Sequence, residues 1–326
     1  MHRRRLLAGC AAALATPALE RTFGRSALAQ AWPSRPIRAI CPFSAGSTID
    51  ILGRIVTEPL AQALGQTIVV ENRGGAGGTI GSLAVAKAEA DGYTLLINAS
   101  AHTAAPASYP SIAYDPAKDF AGIAMIGVVP NVLLIAPSKN VKTAQELAAR
   151  GKAGNLTFAS AGVGSASHWG AERFRLAAGF AATHVPFRGG PEAITEVITG
   201  RVDFACLGTS STLPFIRDGR LVALAVTTRQ RSAALPDVPT TLEAGFPDSD
   251  YTFWNGFLAP AQTPKPVIAR LHDEIAKILE QPAIKEKLFN QGVEPYPLSP
   301  DEFDALIRRE IAGNLALAKA AGLKFN

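Results

Sequence analysis

The chain is poor in the residue patterns that carry metal binding or hydrolysis. Its 326 residues include three cysteines and five scattered histidines, with no CxxC or HExxH spacing, so neither a metal nor another cofactor is expected. No G-x-S-x-G elbow occurs, and no serine, histidine and acid stand in a recognisable arrangement, which argues against an α/β hydrolase or transferase. Strong charge is also lacking. The formal charge is +5, but residues 1–29 hold five basic residues and one acidic one, and the remainder has 27 basic against 26 acidic residues. A nucleic-acid partner loses its main electrostatic support on that ground. With 48% hydrophobic and 18% charged residues, the chain is long enough for one large or two medium globular domains.

Residues 1–29 look like a secretory signal. Arg3-Arg4-Arg5 form a basic start, Leu6 to Leu19 an apolar run, and Ala27-Leu28-Ala29 an A-x-A site before Gln30. The apolar run is shorter than the roughly 18 residues that span a bilayer. The Arg-Arg pair loosely fits a twin-arginine signal. Leu7-Ala8-Gly9-Cys10 spells a lipoprotein-type box but stands too early in the apolar run. Cleavage at Ala29/Gln30 leaves Cys41 and Cys206, each at the end of an apolar run. Buried free thiols are expected, although an oxidising compartment would also permit a disulfide.

One stretch organises the rest, Ile37 to Arg54: an apolar strand, the small-residue loop Phe43-Ser44-Ala45-Gly46-Ser47-Thr48, then an amphipathic helix that Pro59 would interrupt. Ser47 and Asp50 have S-x-x-D spacing, so Ser47 should cap the helix while Asp50 reaches back to the Ser47 N–H. Such a loop offers unpaired N–H donors and the positive end of the helix dipole to an anion such as a carboxylate, unless it is an ordinary strand-to-helix turn.

Alternation of short β-rich runs with helices makes the fold α/β. Residues 72–81 are glycine-rich, but Ile80 stands where a dinucleotide fingerprint needs glycine and no acid follows at ribose distance, so close backbone approach explains them better. Asn98 and Ser100 end the strand 93–97 and either face a crevice or cap the next turn. Ser160-Ala161-Gly162-Val163-Gly164-Ser165 repeats the opening chemistry before a helix with His168 in its first turn, and no Walker lysine follows. Pro186-Phe187-Arg188-Gly189 is a turn in which Arg188 is either a carboxylate partner or a surface charge. Asp203 faces opposite to Val202 and Phe204. Residues 120–137, split by Pro130-Asn131, suit a crossing between lobes, and 254–260 a return. Two amphipathic helices are expected to close the chain.

Several spaced segments together resemble the receptor family of tripartite tricarboxylate transporters, also called the Bug family. They are CPFSAGSTIDILGR (41–54), VVENRGGAGGTIGSLAVAKAEADGYTLL (69–96), FASAGVGSASHWGAERF (158–174), HVPFRGGPEAITEVITGRVDFACLG (184–208), PDVPTTLEAGFPD (236–248) and FWNGFLAPAQTPKPVI (253–268). The resemblance implies a two-lobed, type II-like periplasmic-binding-protein fold. Each lobe would be a mixed sheet flanked by helices, with crossing strands as hinge. Lobe 1 would be 30–129 plus 254–326, and lobe 2 130–253. It further implies a monomeric periplasmic receptor without catalysis, holding a small carboxylate and delivering it to membrane permease subunits, or reporting it to a signalling partner. Residue by residue, Phe43, Ser44, Gly46, Ser47, Thr48 and Asp50 would form one wall. Asn98, Ser100, Ser160, Ala161, Gly162, Gly164, Ser165, His168, Pro186, Arg188, Gly189 and Asp203 would form the others. Ala45, Ser47, Gly53 and Phe187-Arg188 depart from the family's commoner residues, which leaves the ligand open.

Overall fold

The computed structural model describes residues 32–251 and 253–320; the expected signal segment 1–29 and its cleavage point lie outside them. The chain begins with β1 (Ile37–Cys41), α1 (Thr48–Leu64), β2 (Ile68–Asn72), α2 (Thr79–Ala86), β3 (Thr94–Ala99), α3 (Ala101–Ser108) and β4 (Phe120–Val129). It continues with β5 (Asn131–Ile135), α4 (Ala144–Ala153), β6 (Leu156–Ser160), α5 (Ala166–Ala178), β7 (Ala182–Pro186), α6 (Gly190–Ile198), β8 (Phe204–Gly208), α7 (Thr209–Arg217) and β9 (Val222–Val226). Last come β10 (Phe253–Pro260), α8 (Lys265–Glu280), α9 (Pro282–Asn290) and α10 (Pro300–Ala320).

These strands form two five-stranded sheets of matching layout, β2-β1-β3-β10-β4 and β7-β6-β8-β5-β9. In each, the first three strands are parallel and the fourth runs antiparallel to both neighbours. The fourth strand is the one reached by crossing between sheets. The chain crosses once at Pro130, between β4 and β5, and returns through the segment leading to β10.

Both faces of each sheet are buried, which is why its strands read as near-continuous apolar runs. In β1, Ile37, Ala39 and Cys41 pack toward Leu52, Val56 and Leu60 of α1, whereas Ile40 packs on the other face with Leu96, Trp254 and Phe303. That helical face holds α1 continuous through Pro59, contrary to the expected interruption: burial of four turns of apolar side chains outweighs one lost backbone bond. Gly65, at φ 66°, ends the helix. Three helices close the described chain where two were expected, α9 being the addition, and α7 was not foreseen.

Cys41 and Cys206 are buried free thiols in different sheets. Burial pushes the Cys41 thiol up to about 12, so neither reactivity nor a disulfide is called for.

Candidate functional site

The opening loop and its later counterpart are one structure built twice. After β1, the Ser47 N–H donates to the Ser44 carbonyl (3.1 Å), Gly46 sits at φ 76°, and Ser47 Oγ accepts from the Asp50 N–H (3.4 Å). After β6, the Ser165 N–H donates to the Gly162 carbonyl (3.1 Å), Gly164 sits at φ 74°, and Ser165 Oγ accepts from the His168 N–H (3.3 Å). In both, the third helical residue reaches back past the cap. Asp50 Oδ2 accepts from the Gly46 N–H (2.9 Å) and His168 Nδ1 from the Gly164 N–H (3.0 Å). The expected partner of Asp50, the Ser47 N–H, is taken by the turn itself.

The Asp50 carboxylate is turned into its own loop. Its other oxygen accepts from Arg54 Nε and Asn72 Nδ2, both at 2.9 Å, so the buried carboxylate is spent on holding the loop. His168 is likewise a brace. It stacks on His184 at 3.8 Å between ring centroids, and Ser160 Oγ lies 2.6 Å from His184 Nε2. Burial lowers the His168 pKa to about 2, aided by His184 and Arg175, and burial lowers that of His184 to about 4. His168 Nε2 lies 3.9 Å from Glu172, but with the imidazole neutral that contact is not an ion pair.

A cavity of about 40 Å³ lies between the two loops. This is room for a few waters or the polar head of a small acid. Five helix starts line it: Thr48 and Ile49 of α1, Ala101 of α3, Ala166 and Ser167 of α5, Gly190 of α6, and Gly208 and Ser211 at the start of α7. Each helix's first turn leaves N–H groups without intrahelical acceptors and carries the positive end of a dipole. Among the described residues, no Lys, Arg, Asp or Glu lines the space. A buried anion would therefore be held by N–H and hydroxyl donors, not by a counter-ion.

Of the residues expected at the site, Phe43, Ser47, Thr48, Ala161 and Ser165 line this cavity. Gly162, Pro186 and Arg188 instead line a separate, more open space of about 470 Å³, facing Gly75, Gly77 and Tyr109. Ser44 stands beside it, donating to Glu192 Oε1 at 2.9 Å, and Gly189 is buried against Ser44 because a Cβ there would lie 2.5 Å from the Ser44 hydroxyl. Gly46 is exposed, while Gly164 packs on Ser108.

Asn98, Ser100 and Asp203 do not belong to the cavity. Asn98 is consumed by Ser82 and its neighbour's N–H, and Ser100 Oγ accepts from the Tyr251 hydroxyl. Asp203 precedes β8 at the end away from Gly208. There it binds Lys139 (2.7 Å) and both the N–H and hydroxyl of Thr157, and these donors hold its carboxyl below the usual range despite burial. Asn131, Gly208, Ser211 and Phe253 are cavity residues that sequence reasoning missed. A hydroxyl-rich run after a buried strand, Thr209 to Thr212, was the available signal.

Side-chain bonds cross between the loops and helices of the two sheets, among them Ser210 Oγ donating to the Gln291 carbonyl (2.8 Å). Thr48 Oγ1 meets Ser211 Oγ (3.2 Å), Ser44 meets Glu192, Tyr109 OH donates to the Val163 carbonyl (2.8 Å), and Trp169 Nε1 donates to Ser108 Oγ (3.1 Å).

The family model described as the tripartite tricarboxylate transporter family receptor matches residues 52–323. The chain belongs to this receptor family. Its structure is similar to that of the periplasmic binding protein BugD, with a TM-score of 0.86 at 33% identity over 90% of this chain and 99% of that one. It is similar to MatC from Rhodopseudomonas palustris with bound malate (TM-score 0.84, 33% identity, 87% and 99% covered). It is also similar to Rpa4515 of R. palustris with adipate (TM-score 0.86, 32% identity, 90% and 99% covered). The receptor thus has the two-lobed fold of the periplasmic binding proteins, and its family is one of periplasmic solute-binding receptors, not of enzymes.

Proposed function

We propose that the receptor binds a small carboxylate in the 40 Å³ cavity and delivers it to the permease subunits of a tripartite tricarboxylate-type transporter. One observation carries the ligand class: five helix starts meet around a space lined by no charged side chain among the described residues. That arrangement attracts an anion while leaving it no counter-ion to compete for. Malate and adipate in two related proteins are carboxylates of compatible chemistry.

In this reading the lobes are 30–129 plus 254–326 and 130–253, acting as one monomer after removal of residues 1–29. Sheet membership supports the division to within one residue, since Phe253, the last residue of 130–253, already pairs with Val129 of the first sheet. The pairs Thr48–Ser211 and Tyr109–Val163 join the lobes in a closed form that ligand stabilises.

Native mass spectrometry of the mature protein, followed by a thermal-shift screen of small carboxylates, tests this. A carboxylate adduct lost on unfolding, or a midpoint raised in proportion to ligand excess, supports it. A midpoint unmoved by every acid in the screen at millimolar concentration refutes it.

A further inference from the structure

Among the described residues lining the cavity, one buried amide oxygen is left without a donor. Asn131 is fully buried and lines the space, its Nδ2 donates to the Ala166 carbonyl (3.3 Å), and its Oδ1 has no hydrogen-bond partner among the described residues. The amide is held in that sense because the opposite orientation would set Oδ1 against a carbonyl oxygen. It is also a built position. Gly170 of α5 leaves the room for it, since a Cβ there would lie 3.2 Å from Asn131 Nδ2 and 2.9 Å from Cys206 Sγ. A buried amide oxygen without a donor is costly, so something that enters the cavity completes it.

We propose that Asn131 selects carboxylates that carry a neutral hydroxyl, which donates to Oδ1 while the carboxylate accepts from the surrounding helix starts. This rests on the carboxylate-receptor reading above. An ammonium group could also donate, but among the described residues no acid lines the cavity, Asp50 being engaged with Gly46, Asn72 and Arg54. A cation buried there would face positive helix ends without a counter-charge, so hydroxy acids are favoured over amino acids.

Asn131 also stands at the hinge. Its carbonyl accepts from the Thr227 N–H (2.9 Å) on the returning crossover, and the Pro130 carbonyl accepts from the Thr209 N–H (2.9 Å) at the start of α7. A hydroxyl seated on its side chain therefore touches the point where both crossovers meet.

The test is calorimetric titration of the mature receptor, freed of co-purified solute, with acids differing by one group. The series are glycolate, acetate and glycine; L-lactate, propionate and L-alanine; and L-malate, succinate and L-aspartate. The hydroxylated member of each series that binds should be at least about tenfold tighter than its deoxy and amino partners. Asn131→Leu should bring the affinities for hydroxy and deoxy acids to within about threefold of each other. Asn131→Asp, which keeps the shape and adds a negative charge, should move the preference toward the amino acid. Equal binding of hydroxy and deoxy acids by the unmodified protein overturns the inference while leaving the receptor reading intact, and shows that Asn131 merely holds a water. Preference for the amino acid overturns it as well. Failure of every acid in the series and in the wider carboxylate screen overturns the receptor reading beneath it. If Asn131→Leu does not fold, the preferences of the unmodified protein decide.

Discussion

Thr48 Oγ1 and Ser211 Oγ lie 3.2 Å apart and buried, joining the first turn of α1 to the first turn of α7. The bond closes one wall of the cavity and ties the two sheets' helices together. Thr48→Val keeps the shape and removes the donor. Affinity for the bound carboxylate should fall about threefold to tenfold, in line with about 1 kcal/mol for one buried hydrogen bond. The ligand-free melting temperature should barely change, and calorimetric titration beside thermal melts checks both.

Gly77 packs closely on the loop that follows β6. It sits at φ 60°, and a Cβ on it would lie 1.9 Å from the Val163 carbonyl on the opposing loop. Gly77→Ala should hold the lobes apart, weakening ligand binding by more than about tenfold, beyond the fold cost of about 1 kcal/mol expected for a left-handed alanine. Small-angle scattering with ligand present should show the variant more extended than the unmodified protein.

Asp50→Asn tests the brace. Removing the charge weakens the bonds from the Gly46 N–H and Arg54, and sets one amide against the Asn72 amide. A loss of about 1–3 kcal/mol in unfolding free energy is expected by denaturant titration, with ligand selectivity unchanged because the carboxylate does not face the cavity.

The buried histidines set a pH dependence. Folding lowers the pKa of His168 to about 2 and of His184 to about 4, below the usual 6.5, so the unfolded chain binds more protons between those values. Their stabilising contribution is present above about pH 6.5 and is lost as pH falls toward 4. His102, also lowered to about 4 by burial, acts in the same direction. Glu294, Glu310 and Asp304, raised by burial, act in the opposite one. The melting temperature of His184→Gln should therefore fall less steeply from pH 7 to 4.5 than that of the unmodified protein, and parallel slopes would exclude the stack as a cause.

The α/β class, the strand-loop-helix units at Ser44–Asp50 and Ser160–His168 and the capping Ser47 were legible, because capping and small-residue turns are local chemistry. The two crossings were legible from Pro130 and from the apolar run at 254–260. Asp203 and Asn98 do not line the 40 Å³ cavity: alternation shows that the Asp203 side chain leaves one face, but not which strand end meets the cavity. Asn131, Ser211 and Phe253 come from β5, α7 and β10, distant in sequence, and only the tertiary fold brings them to one cavity. The redirected bond of Asp50 was hidden because two neighbouring N–H groups, on Gly46 and Ser47, competed for one carboxylate.

Diffraction from crystals grown with the tightest-binding small carboxylate tests the central claim most directly. Expected is density inside the 40 Å³ cavity, its carboxylate oxygens within hydrogen-bond reach of the first-turn N–H groups of α1 and α5 and of the Ser211 hydroxyl. Density confined to the open space lined by Arg188 and Tyr109, with only water among the helix starts, would contradict it.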